Sequence, residues 1–72
     1  MNLNWQEVDS AMIVAEAYDS GTERIFLRFK DGTEYYYESC PPEIWEQFTA
    51  PGQSRGKYFH SVLKFKTTGR YA

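Results

Sequence analysis

The 72-residue chain has a single cysteine, Cys40, and a single histidine, His60. One cysteine excludes an intramolecular disulfide framework. With one histidine it cannot complete the ligand set of a structural zinc site within one chain. No apolar run approaches the roughly 20 residues that a membrane-spanning helix requires. Internal repeats, low-complexity tracts and linkers are also missing. The opening residues, Met1 to Glu7, hold neither a basic n-region nor an apolar h-region. These absences predict a soluble, cytoplasmic protein with no address of its own, no membrane partner, no cofactor and no metal. One further absence is local: no acidic residue follows Pro51.

That last gap splits the charge. Residues 51–72 carry Arg55, Lys57, Lys64, Lys66 and Arg70 with no anion, plus His60. The first fifty residues carry only Arg24, Arg28 and Lys30 against all ten carboxylates, within a net charge of −2. A mildly acidic chain with a basic, aromatic end reads as a polarised binding surface. The length suits one domain spanning residues 1–72, near the lower limit for folding without staples. Two Trp, six Tyr and five Phe supply the bulk that a small core needs.

Two apolar-rich runs, Glu23–Lys30 and Thr33–Ser39, flank Asp31-Gly32. A two-residue turn at Asp-Gly would set Glu34 and Glu38 against Phe29 and Ile25, which puts carboxylates on the aliphatic face. A three-residue loop, Lys30-Asp31-Gly32, removes the conflict, with Gly32 taking the positive φ of a bulge. Phe29 then opposes Thr33, Leu27 opposes Tyr35 and Ile25 opposes Tyr37. The reverse face pairs Arg28 with Glu34, Phe26 with Tyr36 and Arg24 with Glu38. The bulged register is therefore predicted.

Upstream, Ala11–Tyr18 reads as a first strand with Ile13, Ala15 and Ala17 on one face. Asp19-Ser20-Gly21-Thr22 turns the chain into the second strand. Pro41-Pro42-Glu43 ends the sheet and opens a short helix, with Pro42 at its first position and Ile44, Trp45 and Phe48 on one side. Pro51-Gly52 stops that helix. Ser54 caps a second helix over about Arg55–Lys64, whose face of Tyr58, Phe59, Val62 and Leu63 opposes a stripe of Lys57, His60 and Lys64. The predicted fold is α+β: a three-stranded antiparallel meander followed by two short helices packed on one face.

Taken in order, these residues resemble the KTSC domain. This short module is named for its place at the C-terminus of some lysyl-tRNA synthetases, and it also stands alone in bacteria and phages. The resemblance rests on Ile13, Ala15 and Tyr18-Asp19, then on Ile25-x-Leu27-x-Phe29, Gly32, Tyr35 and Tyr37. It continues through Pro41-Pro42-Glu43-Ile44-Trp45 and Ser54-x-Gly56-x-Tyr58-Phe59 to Leu63-Lys64, covering about residues 8–65. The family pattern carries Asn where this chain has His60, and Ser where it has Ala11. The resemblance implies no catalytic residues, and it suggests RNA binding through the family's association with a synthetase.

The candidate binding residues follow from charge and aromatic placement. The stripe of Arg55, Lys57, His60 and Lys64, with Lys66 and Arg70 beyond it, suits phosphate contacts; its plain alternative is a solvated helix face. Parity assigns Tyr35 and Tyr37 to the core. It leaves Tyr36 and Phe26 as an aromatic pair on the other face, available for stacking on bases unless a further element covers them. Leu3 and Trp5 either close the core or form an apolar arm for a protein partner.

Ser54-Arg55-Gly56-Lys57 is not a P-loop, because the remaining glycines and the GK[ST] ending are absent. Cys40 reads as a small buried hydrophobe rather than a nucleophile served by His60. The chain is also too short to enclose a pocket of a few hundred Å³ readily, so no enzyme is expected.

Two functions are carried forward. The first is a non-catalytic module that binds RNA or an RNA-handling assembly through its basic C-terminal helix and nearby aromatics. The alternative is a protein–protein regulator, phage-encoded in one version, that binds a host machine such as the transcription apparatus.

Overall fold

The hairpin around Asp31-Gly32 sets the frame of the molecule. In the computed structural model, which describes residues 3–72, Ile25 pairs with Tyr37, Phe26 with Tyr36, Leu27 with Tyr35 and Arg28 with Glu34. The Gly32 amide donates to the Phe29 carbonyl at 2.9 Å, and Gly32 has φ +89°. Asp31 Oδ1 accepts from the Thr33 amide at 3.0 Å and from its hydroxyl at 2.6 Å, which locks the loop. The bulged register is the one the alternation predicts.

Among the described residues the sheet has five antiparallel strands rather than three. In chain order they are β1 (Gln6–Glu7), β2 (Ile13–Asp19), β3 (Arg24–Phe29), β4 (Glu34–Tyr37) and β5 (Thr68–Arg70), each beside the next. The two edge strands have two and three residues. Period-2 alternation cannot register in so few residues. The backbone hydrogen bonds of β4 select β5 as its second neighbour: the Glu38 amide donates to Thr67 at 2.8 Å and the Tyr71 amide to Glu34 at 2.7 Å.

A second correction concerns β2. Its register against β3 shifts between Ile13 and Ala15, so that Ile13 opposes Phe29 but Ala15 opposes Arg28. A bulge inserts one unpaired residue and reverses the parity beyond it. Ile13, Ala15 and Ala17 therefore do not share a face. Glu16 and Tyr18 turn inward beside Leu27 and Ile25, and Ala15 and Ala17 turn outward beside Arg28 and Phe26.

Two helices cover the inward face. Helix α1 (Pro42–Phe48) has Pro42 at its first position, where the missing amide costs nothing. Helix α2 (Arg55–Ser61) is capped by Ser54, whose hydroxyl accepts from the Lys57 amide at 3.3 Å. It ends earlier than the predicted Lys64. Val62 leaves helical geometry at φ −129°, ψ −60°, and Leu63–Phe65 tighten into a 3₁₀ turn.

The core lies between this layer and the sheet: Ile13, Ile25, Leu27, Tyr37, Cys40, Phe48, Tyr58 and Leu63. Tyr18 stacks on Trp45 at 5.3 Å and donates its hydroxyl to the Cys40 carbonyl at 2.7 Å. Among the described residues no helix is long and apolar enough to cross a membrane.

Candidate nucleic-acid interface

Helix α2 is held by one side and offers the other. Tyr58 and Leu63 are buried, and the Tyr58 hydroxyl donates to Gln47 Oε1 at 2.8 Å, which ties α2 to α1. Phe59 packs edge-on against Phe29 at 5.8 Å and Tyr37 at 5.6 Å. Lys57, His60, Ser61 and Lys64 stand on the exposed side. The same surface continues into Phe65, which is 75% exposed and has the Lys64 ammonium 5.3 Å from its ring. It ends at Arg70 on β5, whose guanidinium lies 5.7 Å from the Tyr35 ring.

The ion pairs sort the cations. Arg24 lies 3.7 Å from Glu38, Arg28 binds Glu34 at 2.6 Å, and Arg55 binds Glu16 at 2.8 Å. Among the described residues, Lys30, Lys57, Lys64, Lys66 and Arg70 have no side-chain carboxylate partner, and Arg70 Nε donates to the Ala72 carbonyl oxygen at 3.0 Å. The charge split of the sequence thus persists in three dimensions. Apart from Lys30 in the β3–β4 loop, the unpaired positive charge sits on α2, the 3₁₀ turn with its capping Lys66, and β5.

Arg55, predicted as part of the basic stripe, does different work. The β2 bulge turns Glu16 inward, where its side chain is 0% exposed. Arg55 Nε and Nη2 donate to its two oxygens at 2.8 and 2.9 Å, and Gln6 Nε2 adds a third bond at 2.6 Å. Hydrogen bonding to Glu16 raises the Arg55 pKa further, so it stays charged at any ordinary pH. The triad ties edge strand β1 and helix α2 to β2. It removes Arg55 from the free cations.

Beside this pair the chain forms an open groove of about 940 Å³. One wall is the segment between β1 and β2, including Val8, Asp9, Ala11 and Met12; the other is α2, with Arg55, Lys57 and His60. Three hydrogen bonds pin the first wall. The Val8 amide donates to Val14 at 3.0 Å, the Lys30 amide to Met12 at 3.2 Å, and the Met12 amide to Ser10 Oγ at 3.3 Å. Groove walls so far apart in sequence carry no local signal, which is why the sequence reading missed them.

The opposite face of the sheet is already occupied. Phe26, a predicted exposed aromatic, is 1% exposed. Trp5 meets it edge-on at 6.5 Å and Tyr71 edge-on at 5.0 Å, and Tyr36 lies tilted against it at 6.2 Å. Arg28 lies 4.6 Å over Trp5, and Arg24 lies 4.5 Å over Tyr36. Two short terminal segments thus do the covering that a third element was needed for. Trp5 closes its own sheet, and Leu3 is half-buried. Tyr36 in turn lies across Gly69, where any side chain would overlap the phenol.

Cys40 and His60 are kept apart. Cys40 is fully buried, its sulfur 3.5 Å from the carbonyls of Tyr37 and Glu38, whereas His60 is exposed on α2. Burial pushes the thiol pKa up.

Comparison with known proteins places this architecture. The family model of the KTSC domain matches residues 9–66. A protein from Tsukamurella paurometabola is 34% identical over 59 residues, covering 82% of this chain and 87% of its own. The crystal structure of a KTSC domain protein from Yersinia pestis superposes with a TM-score of 0.89 over 99% of this chain and 100% of that one. At 22% identity, that likeness speaks for the fold alone.

Proposed function

This chain belongs to the KTSC domain family, and we propose that it is a non-catalytic module that binds RNA along the exposed side of α2, the 3₁₀ turn and β5. One observation carries the reading: of the five cations without a side-chain carboxylate partner among the described residues, four (Lys57, Lys64, Lys66 and Arg70) lie on this stretch, and only Lys30 lies outside it. Cations that form no ion pair can attract a polyanion even when the net charge is −2. The half-buried Phe29, Tyr35 and Phe59 and the exposed Phe65 lie on or beside the same surface. Such rings offer stacking positions to unpaired bases.

The protein-directed alternative drew on an apolar arm of Leu3 and Trp5. Trp5 contacts Phe26 and Tyr71 instead, so that support is withdrawn. The test is fluorescence anisotropy with a short labelled single-stranded RNA at rising salt. Four phosphate contacts predict a slope of log K against log salt of about −3. The double reversal Lys57→Glu, Lys64→Glu abolishes binding. Binding that is insensitive to salt, or no binding to single-stranded RNA, refutes the reading.

A further inference from the structure

We infer that the groove between the β1–β2 segment and α2 receives one unpaired nucleotide of the bound strand and gives the module a base preference. The inference rests on the RNA reading above and adds to it a site and a chemical selectivity.

The groove has the size of a small-molecule site, about 940 Å³; hydrogen bonds hold its β1–β2 wall, and the Arg55–Glu16 and Tyr58–Gln47 contacts hold α2. Its two sides differ in chemistry. Lys57 and His60 on α2 belong to the cationic face on which phosphates would run. The facing segment presents Asp9 beside the apolar surfaces of Ala11 and Met12. Glu7 lies at the rim, but its pairing with Ala15 directs its side chain to the opposite face of the sheet. Asp9 is thus the carboxylate of that wall. Arg55 on the helix side is satisfied by the buried Glu16 of β2, so the pair adds no net charge to be neutralised.

A ligand that fits must be anionic at one end, flat and partly apolar in the middle, and a hydrogen-bond donor at the other. A nucleotide has that layout. Its phosphate meets Lys57 and His60, its base lies on Ala11 and Met12, and an exocyclic amine donates to Asp9. Carboxylates accept from such amines, as in the pairing of Asp or Glu with cytosine N4. Uracil has no exocyclic amine and turns carbonyl oxygens toward the carboxylate. Cytosine and adenine are therefore selected over uracil.

The test compares short oligocytidylate, oligoadenylate and oligouridylate by anisotropy at fixed salt, on the wild type and two variants. Ala11 is exposed, so Ala11→Trp fills the groove from its rim without disturbing the core. Asp9→Ala removes the acceptor. Far-ultraviolet circular dichroism establishes that both variants fold. The wild type should prefer oligocytidylate and oligoadenylate by about tenfold over oligouridylate. Asp9→Ala should erase that preference while keeping the salt slope, and Ala11→Trp should weaken the two preferred oligomers to the level of oligouridylate. Equal wild-type affinity for all three, or a preference that survives both variants, overturns the groove assignment and leaves the RNA reading standing. No binding to any of the three overturns both.

Discussion

Replacing Arg55 by Met should cost this domain most of its stability. The Glu16 carboxylate is 0% exposed and takes three hydrogen bonds, two of them from Arg55. Arg55→Met keeps an apolar side chain near Phe48, over which the guanidinium lies at 5.3 Å. It leaves Glu16 charged, buried and bonded only to Gln6. Breaking a buried pair from one side costs about 3–5 kcal/mol, against roughly 5 kcal/mol available to a domain of this size.

The reverse deletion should be milder. The Arg55 side chain is 21% exposed and borders the open groove, so water can reach it after Glu16→Leu. About 1–2 kcal/mol is expected there. The double variant Glu16→Leu, Arg55→Met removes both charges and should return to within about 1 kcal/mol of the wild type. Urea unfolding followed by tryptophan fluorescence reads all four proteins, since Trp5 and Trp45 lie on opposite faces of the sheet. A loss below about 1 kcal/mol for Arg55→Met, the level of a surface ion pair, would refute the reasoning.

Other outcomes follow from the same packing. Trp5→Ala should lower stability by about 2 kcal/mol in the same assay, less than the roughly 3–5 kcal/mol of a fully buried Trp because Trp5 is only half-buried; for the same reason removal of residues 1–6 should destabilise the fold rather than leave it intact. Gly69→Ala forces the Tyr36 ring aside and should cost about 1–3 kcal/mol, visible as a lower Tm. Burial raises the pKa of Cys40, Tyr37 and Tyr58, so the unfolded chain loses these protons first. Their contribution is complete below about pH 8.5 and declines as pH rises toward the folded values. Cys40→Ala should flatten the start of that alkaline decline, and the native thiol should resist a thiol reagent that labels the unfolded chain.

What the sequence made legible was set by local chemistry. The bulged hairpin followed from parity, because only one register keeps Glu34 and Glu38 off the face of Ile25, Leu27 and Phe29. Ser54 and Pro42 marked the helix starts because caps act within one turn. One miss is local, the end of α2 at Ser61 where Val62 leaves helical geometry; the others come from short strands and tertiary contacts. Strands β1 and β5 are too short to show a period. The β2 bulge was hidden because Ile13, Ala15 and Ala17 alternate as a regular strand would, and a carboxylate such as Glu16 reads as surface until its partner is known. That partner is 39 residues away. The covering of Phe26 by Trp5 and Tyr71 joins the two ends of the chain, and so has no local trace. In the candidate site, the exposed stripe of Lys57, His60 and Lys64 was legible from helical spacing. The capture of Arg55 and the groove were not.

The most direct test of the central claim is a titration of the isotopically labelled protein with short single-stranded RNA, followed by amide chemical shifts. Shift changes concentrated between Lys57 and Arg70, and collapsing with added salt, are the predicted result. Shift changes confined to the face of Trp5, Phe26 and Tyr36, or none at all, would contradict it.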